Sequence, residues 1–225
     1  MQNSEVNFSM IKKNDFIELE YTGIVKETSI IFDTTNKMLA QKSGIFNPKI
    51  DYTPAVICVG QNQLIAKLDD HLIGKEINKE YDIDLNKAFG AKDAKLLKFV
   101  SRTTFKKQNV NPEPGMQVQI DGHVGSIRTV NGGRILVDFN NPLASKDITY
   151  KVKVNKVLDS DEEKVKALIK LELRIKPEHI TFKDGIISVN AKTQVPKELT
   201  DILTTRIQTM IPSVKSLEFN SKVNN

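Results

Sequence analysis

Asp33 is the residue whose placement most needs a chemical reason. It directly follows Ile30-Ile31-Phe32 in the run YTGIVKETSIIFDTT, Tyr21 to Thr35, with no His, Cys or second acid beside it. Proton transfer and metal binding both rely on such neighbours. The rest of the chain offers none: His71, His123 and His179 lie far apart, and the single cysteine, Cys58, sits in the apolar run AVICVG. One Cys makes no zinc pattern, and neither a G-x-S-x-G elbow nor a phosphate-binding glycine loop occurs. The expectation is therefore no metal, no cofactor and no nucleophilic triad, with Cys58 a small buried hydrophobe. His71 beside Asp69 and Asp70 reads as a solvated helix face. What accompanies Asp33 is apolar and aromatic: Tyr21, Phe32, Leu64, Ile65, Leu68, Phe89 and Tyr150. On periodicity alone these are core residues of a β-sheet packed on one helix.

The elements that must position them follow from the hydrophobic pattern. FIELEY alternates Phe16, Ile17, Leu19 and Tyr21 with acids, a strand that TGIVKETS continues through Gly23. Residues 35–53 are polar, with Gly44 and Pro48, and read as a long loop with a short helix, a length that hints at function. PAVICVG is a short buried strand. QLIAKLDDHLIG carries apolar residues at helical spacing up to Gly74, and KEYDIDL is the next strand. The pattern changes after Phe89-Gly90. LLKFVSRTTF reads as an apolar strand, and MQVQI, HVGSIRTV and RILVDF as three more, separated by the hairpin signals Asp121-Gly122 and Asn131-Gly132-Gly133. ITYKVKVNKVL alternates most cleanly. DSDEEKVKALIKL opens with acids, as a helix does, and leads into an element expected to end near Lys176-Pro177. GIISVNA and SLEFNSKV read as strands around the amphipathic helix PKELTDILTTRIQTMI, with Leu199, Ile202, Leu203, Ile207 and Met210 on its apolar side.

Composition bounds the class. With 39% hydrophobic and 27% charged residues, the 225-residue chain has the balance of a globular protein. A net charge of +5 gives mild attraction to acidic partners, but the basic residues are spread out, so direct nucleic-acid binding is not expected. No run approaches a membrane span and MQNSEVNFSMIKKNDF has no signal-peptide core, so the expected location is cytoplasmic.

Five pieces, YTG, FD, VGQNQLIAKLDDHLIG, KAFGA and ITYKVKVNKV, occur in an order and spacing that resemble the FKBP-type peptidyl-prolyl cis–trans isomerases. The segment between AFG and NPLAS resembles the insert-in-flap module of SlyD-like members, and the C-terminal part resembles the long archaeal-type FKBPs. The resemblance implies an α+β fold: an antiparallel sheet wrapped on a short helix (residues 1–91 and 139–158), an inserted β-rich chaperone domain (92–138) and a C-terminal α+β accessory domain (159–225). It implies a proline socket made by Tyr21, Phe32, Asp33, Leu64, Ile65, Leu68, Phe89 and Tyr150. Leu68 stands where many members have Trp under the proline ring, and the Ile65 N–H matches a donor to a substrate carbonyl. Ala55 would widen one wall, and Leu143 and Ala144 would rim the pocket. Phe89 departs from the family's Tyr and loses a hydrogen bond worth roughly 0.5–1.5 kcal/mol.

Leu97, Phe99 and Val100, in the inserted module, would take an extended chain by strand addition. The implied partners are unfolded or partly folded polypeptides containing X-Pro bonds, with a homodimer formed through the C-terminal domain. Two other readings stay open on the residues: a non-catalytic holdase with the same fold, and a basic ribosome- or nucleic-acid-associated module.

Overall fold

The computed structural model describes residues 10–173, 179–191 and 195–221. The first nine residues, and the expected end of a helix near Lys176-Pro177, lie outside them. The described residues divide into two compact units, one drawn from residues 1–24, 29–84 and 149–225 and the other from 25–28 and 85–148.

The first sheet is organised around β1 (Phe16–Val25), in the order β2-β1-β9-β4, with β3 also paired to β1. Here β2 is Ile31–Thr34, β3 Ala55–Cys58, β4 Glu80–Leu85 and β9 Ile148–Val157. β1 is antiparallel to both β3 and β2: Phe16–Leu19 pair with Cys58–Ala55, and Thr22 and Gly23 with Thr34 and Asp33. The two short strands thus take successive stretches of β1. Alternation places Phe16, Ile17 and Leu19 in the core, and Ile148, Tyr150, Val152 and Val154 of β9 likewise.

Between β2 and β3 lies the polar loop with its short helix α1 (Lys37–Lys42), which Asn36 caps by accepting from the Leu39 N–H at 3.0 Å. α2 (Ala66–Leu72) starts later than the spacing predicts, so Leu64 and Ile65 precede it, with Ile65 as its N-cap. Leu68 and Leu72 point inward, and the chain leaves at Gly74 with φ +78. Asp69 does not lie on a solvated face, unlike Asp70 and His71. It is 1% exposed, and its Oδ2 accepts from the N–H groups of Gly60 at 2.8 Å and Asn62 at 3.1 Å. A buried carboxylate holding a turn looks, in sequence, like any other helix acid.

The second unit holds the sheet β5-β8-β7-β6, with β5 Leu97–Ser101, β6 Gln117–Ile120, β7 His123–Asn131 and β8 Arg134–Asp138. The apolar run LLKFVSRTTF is a strand only to Ser101. The Ser101 hydroxyl then accepts from the Thr103 N–H and starts α3 (Arg102–Lys107), which buries Phe105 against Ile127, Ile135 and Val137. The β6–β7 turn runs through Asp121 and Gly122, both at positive φ, as a tight hairpin requires. Asp138 is 4% exposed, and burial alone would raise its carboxyl. Arg128 at 2.8 Å, Asn140 and Lys92 at 3.0 Å outweigh that and hold it well below the usual carboxylate range.

After β9, α4 (Asp161–Leu173) lies against β3. The remaining elements are β10 (His179–Lys183), which the sequence pattern did not announce, β11 (Ile186–Ala191), α5 (Lys197–Met210) and β12 (Ser216–Ser221). β10 and β11 form an antiparallel hairpin, and α5 carries the chain over to β12, which runs parallel to β11. Of the apolar side of α5, Leu203, Ile207 and Met210 are buried while Leu199 and Ile202 are exposed, because a three-stranded sheet covers only a narrow stripe of the helix. Phe16, Cys58 and Leu158 share one apolar core with Val165, Leu168 and Ile169 of α4 and with Ile187 of β11. No helix among the described residues is long and apolar enough to cross a membrane.

A chain ending at residue 158 would leave Phe16 and Leu158 without that cover. At about 1.5–3 kcal/mol for each buried large apolar side chain, it should be about 3–6 kcal/mol less stable than the full chain. Urea denaturation of both chains measures this, and equal midpoints would show that the shared core contributes nothing.

Candidate active site

Tyr21 sits where β1 passes from β3 to β2. Its backbone is satisfied there by Thr35: the Tyr21 N–H donates to Thr35 Oγ1 at 3.0 Å, and the Thr35 N–H donates to the Tyr21 carbonyl at 3.0 Å. Thr34 adds a hydroxyl contact to the same carbonyl at 3.2 Å and another with Thr22 Oγ1 at 3.0 Å. The two threonines after Asp33 thereby pin its position beside Tyr21.

The register shifts on β2: Gly23 faces Asp33 but Ile24 faces Ile31, leaving Phe32 as the extra residue of a bulge. A bulge re-aims a side chain. Here Phe32 turns over Gly23, where any Cβ would lie 2.6 Å from the Phe32 Cζ and 3.0 Å from the Tyr150 ring. The glycine of YTG is therefore required by close approach. The Tyr150 ring meets Phe32 edge-on at 5.7 Å between centroids and Tyr21 at 5.9 Å, the geometry that aromatic quadrupoles favour.

The Tyr21 hydroxyl donates to the Asp33 carboxylate. Burial, and then the Asp33 charge, push the Tyr21 hydroxyl up to about 12, so it keeps its proton and remains a donor. The Tyr150 hydroxyl is raised as well, by burial first and then by Asp33 and Tyr21. Asp33 itself is raised by burial, against the stabilising N–H of Thr34 and the Tyr21 hydroxyl. Among the described residues no group of three or more His, Cys, Asp and Glu could hold a metal ion. At Tyr21 the site offers an aromatic ring beside a carboxylate that it holds by a hydrogen bond.

A cavity of about 650 Å³ opens at this point, lined by Tyr21, Asp33, Ala55 and Leu64 among the residues expected from sequence. Phe32 and Tyr150 are not among its lining residues; the Tyr150 ring contacts both Tyr21 and Phe32, Leu68 is buried on α2, and Ile65 caps that helix. Gln63 anchors the turn before Leu64, its Oε1 accepting from the Cys58 N–H at 2.7 Å. Phe89, Leu143 and Ala144 belong to the second unit. There the Ser145 N–H donates to the Gly90 carbonyl at 2.7 Å, and the Lys92 N–H to Ser145 Oγ at 2.9 Å, so the AFG and NPLAS turns are tied together. In the same unit, Leu97 and Phe99 are exposed on β5 and Val100 is half-buried. Sequence reasoning missed the cavity residues on α4, Ala167, Lys170 and Leu171, and Ile50 and Asp51 in the polar loop. No local motif marks them, because only the chain's return after β9 brings α4 to β3.

A carboxyl raised by folding favours the folded state while protonated. Its contribution is complete below the ordinary value of 3.8 and is lost as pH rises through the folded value. Wild type should therefore lose stability relative to Asp33→Asn as pH rises from the ordinary carboxyl value of 3.8 through the raised folded value. Paired thermal melts across that range read the difference. A constant or opposite difference would mean that the hydrogen bonds from Thr34 and Tyr21, not burial, dominate.

Residues 98–143 match the family model described as the FKBP26 IF domain. A short-type peptidyl-prolyl cis-trans isomerase of Methanocaldococcus jannaschii is 27% identical over 157 residues, covering 69% of this chain and 99% of that relative. About a third of this chain therefore has no counterpart in that match. The FKBP-type peptidyl-prolyl cis-trans isomerase SlyD of Treponema pallidum is 27% identical over 159 residues, covering 68% of this chain and 81% of the relative. The FKBP-type 16 kDa peptidyl-prolyl cis-trans isomerase of Escherichia coli is 32% identical over 108 residues, covering 45% of this chain and 72% of the relative. With that identity over that share of a relative, the chain belongs to the FKBP-type peptidyl-prolyl cis–trans isomerase family.

Proposed function

We propose that the chain is a peptidyl-prolyl cis–trans isomerase that also holds unfolded polypeptides. The observation that carries the isomerase reading is the Asp33 carboxylate, held by the Tyr21 hydroxyl, which burial keeps protonated at neutral pH, at the edge of a cavity. The reaction moves no proton and breaks no covalent bond. Rotation about X-Pro is slow because amide resonance sets a barrier of about 18–20 kcal/mol. The twisted state has lost that resonance and carries less charge on its carbonyl oxygen, so a dry aromatic socket favours it over the planar forms. Tyr21, Phe32 and Tyr150 provide the wall for the proline ring, with Leu64 and Ala55 beside it. Leu68 supplies apolar bulk beneath, and the Ile65 N–H orients a substrate carbonyl. Phe89, Leu143 and Ala144 are proposed as further substrate contacts, Phe89 without the hydroxyl of the family's usual tyrosine.

The holding activity is assigned to residues 92–138, between the two parts of an isomerase domain, 1–91 and 139–158. β5 is an edge strand of its sheet, and Leu97 (38% exposed) and Phe99 (66% exposed) lie on its outward face, with Val100 turned to the module core. An open edge with apolar side chains binds an extended chain by backbone pairing, with little sequence preference. Residues 159–225 are proposed as an accessory domain that joins two protomers, supported by exposed Leu199 and Ile202 on α5. The expected location is the cytoplasm.

The full chain should accelerate refolding limited by X-Pro isomerisation and a protease-coupled X-Pro tetrapeptide assay. Asp33→Leu should lower both rates about tenfold or more, yet leave binding of a permanently unfolded protein within about twofold, while Phe99→Ser should do the reverse. A wild-type rate no faster than the uncatalysed one would leave only the holdase reading. Equal loss of both activities in either variant would argue against two separate sites. Ile202→Glu should turn the dimer into a monomer in sedimentation velocity, and a wild type that already sediments as a monomer refutes the joining role.

A further inference from the structure

The cavity at Tyr21 and Asp33 is larger than a proline ring requires. About 650 Å³ is the size of pockets that hold ligands of several residues' bulk. Its far side comes from two segments that no isomerase motif includes. One is the loop after α1, which contributes Ile50 and Asp51. The other is α4, which contributes Ala167, Lys170 and Leu171. These three α4 residues lie at helical spacing, as one stripe beside the buried stripe of Val165, Leu168 and Ile169. The core contact therefore fixes which face of α4 the cavity meets.

Two large apolar side chains are left uncovered on this wall: Ile50 is 54% exposed and Leu171 is 41% exposed. An ion pair, Lys170 Nζ to Asp51 Oδ2 at 2.8 Å, joins the loop and the helix. That pair is half in solvent, so its worth lies in holding the loop beside α4 more than in stability.

We propose that Ile50 and Leu171, held together by the Lys170–Asp51 pair, form a second subsite that takes a large apolar side chain of the bound polypeptide, near the proline in its sequence. Specificity is then set partly by the C-terminal segment. The occupant follows from continuity: the subsite and the proline wall line one cavity, so the chain whose proline meets Tyr21 must run past α4. This assignment rests on the isomerase reading, and the experiment separates the two.

The experiment uses the full chain and two tetrapeptide series with proline at a fixed position, in which the flanking residues are Leu or Ala. Each is read as kcat/KM for isomerisation and as Kd by fluorescence anisotropy of a labelled peptide. Leu171→Ala and Ile50→Ala should each reduce the preference for Leu over Ala by about three- to tenfold, since a hydrophobic pocket reads one to a few methylenes at this scale. The change should appear in KM and Kd, with kcat within about twofold. Lys170→Gln should move selectivity in the same direction by less, and the double variant Lys170→Gln with Leu171→Ala should be less than multiplicative. Thermal melting is expected to stay close to wild type, because both apolar residues are already exposed. Unchanged selectivity in both alanine variants overturns the subsite. If wild type binds the peptides without isomerising them, the catalytic reading falls, and the Leu-to-Ala ratio in Kd still decides the subsite.

Discussion

β1 yields one stretch of its length to β3 and the next to β2, and the backbone of Tyr21 between them has no strand partner from either. Buried peptide groups must be paired, so that gap has to be closed from elsewhere. Thr35 closes it with two hydrogen bonds and Thr34 reinforces it through the same carbonyl. The site follows from this repair. The threonines that satisfy Tyr21 are the residues that follow Asp33, so the acid is delivered beside the tyrosine hydroxyl. The loop that leaves after Thr35 must travel out and return as β3, and the space it skirts is the cavity.

The bulge at Phe32 is the second half of the same arrangement. An extra residue on β2 turns the phenylalanine across β1, and the crossing is open only because position 23 lacks a side chain. Phe32, Tyr150 and Tyr21 then stack edge to face into a wall with few rotamers to lose on binding. Such a wall is suited to a reaction in which the catalyst supplies shape and dryness. Asp33 is held in that neighbourhood by the Tyr21 hydroxyl, which stays protonated and so remains a donor.

α4 has two roles that one helix can fill because its faces are distinct. Val165, Leu168 and Ile169 close the core over Phe16 and Cys58, while Ala167, Lys170 and Leu171 border the cavity. Stability and site geometry are thus coupled through a single rigid element. Asp69 couples them again from below, since its buried carboxylate fixes the turn at Gly60 and Asn62 that leads to Leu64.

The strands β1 and β9, the Asp121-Gly122 hairpin and the placement of Asp33 at the end of an apolar run were legible in the residues themselves. Each is a local property: period-two alternation, a turn needing positive φ, an acid placed where an apolar run ends. The same locality explains the failures. LLKFVSRTTF looks like one strand until Ser101 caps a helix inside it. Leu199 and Ile202 look buried until the narrow sheet opposite them is known. Asp69 looks solvated until two distant N–H groups find it. The amino-acid sequence by itself determined the alternating strands and placed one acid after an apolar run; the socket was implied only by the family resemblance. Only the tertiary structure decided that α4 and the polar loop would complete that cavity, because helix periodicity says which residues share a face and nothing of what that face meets.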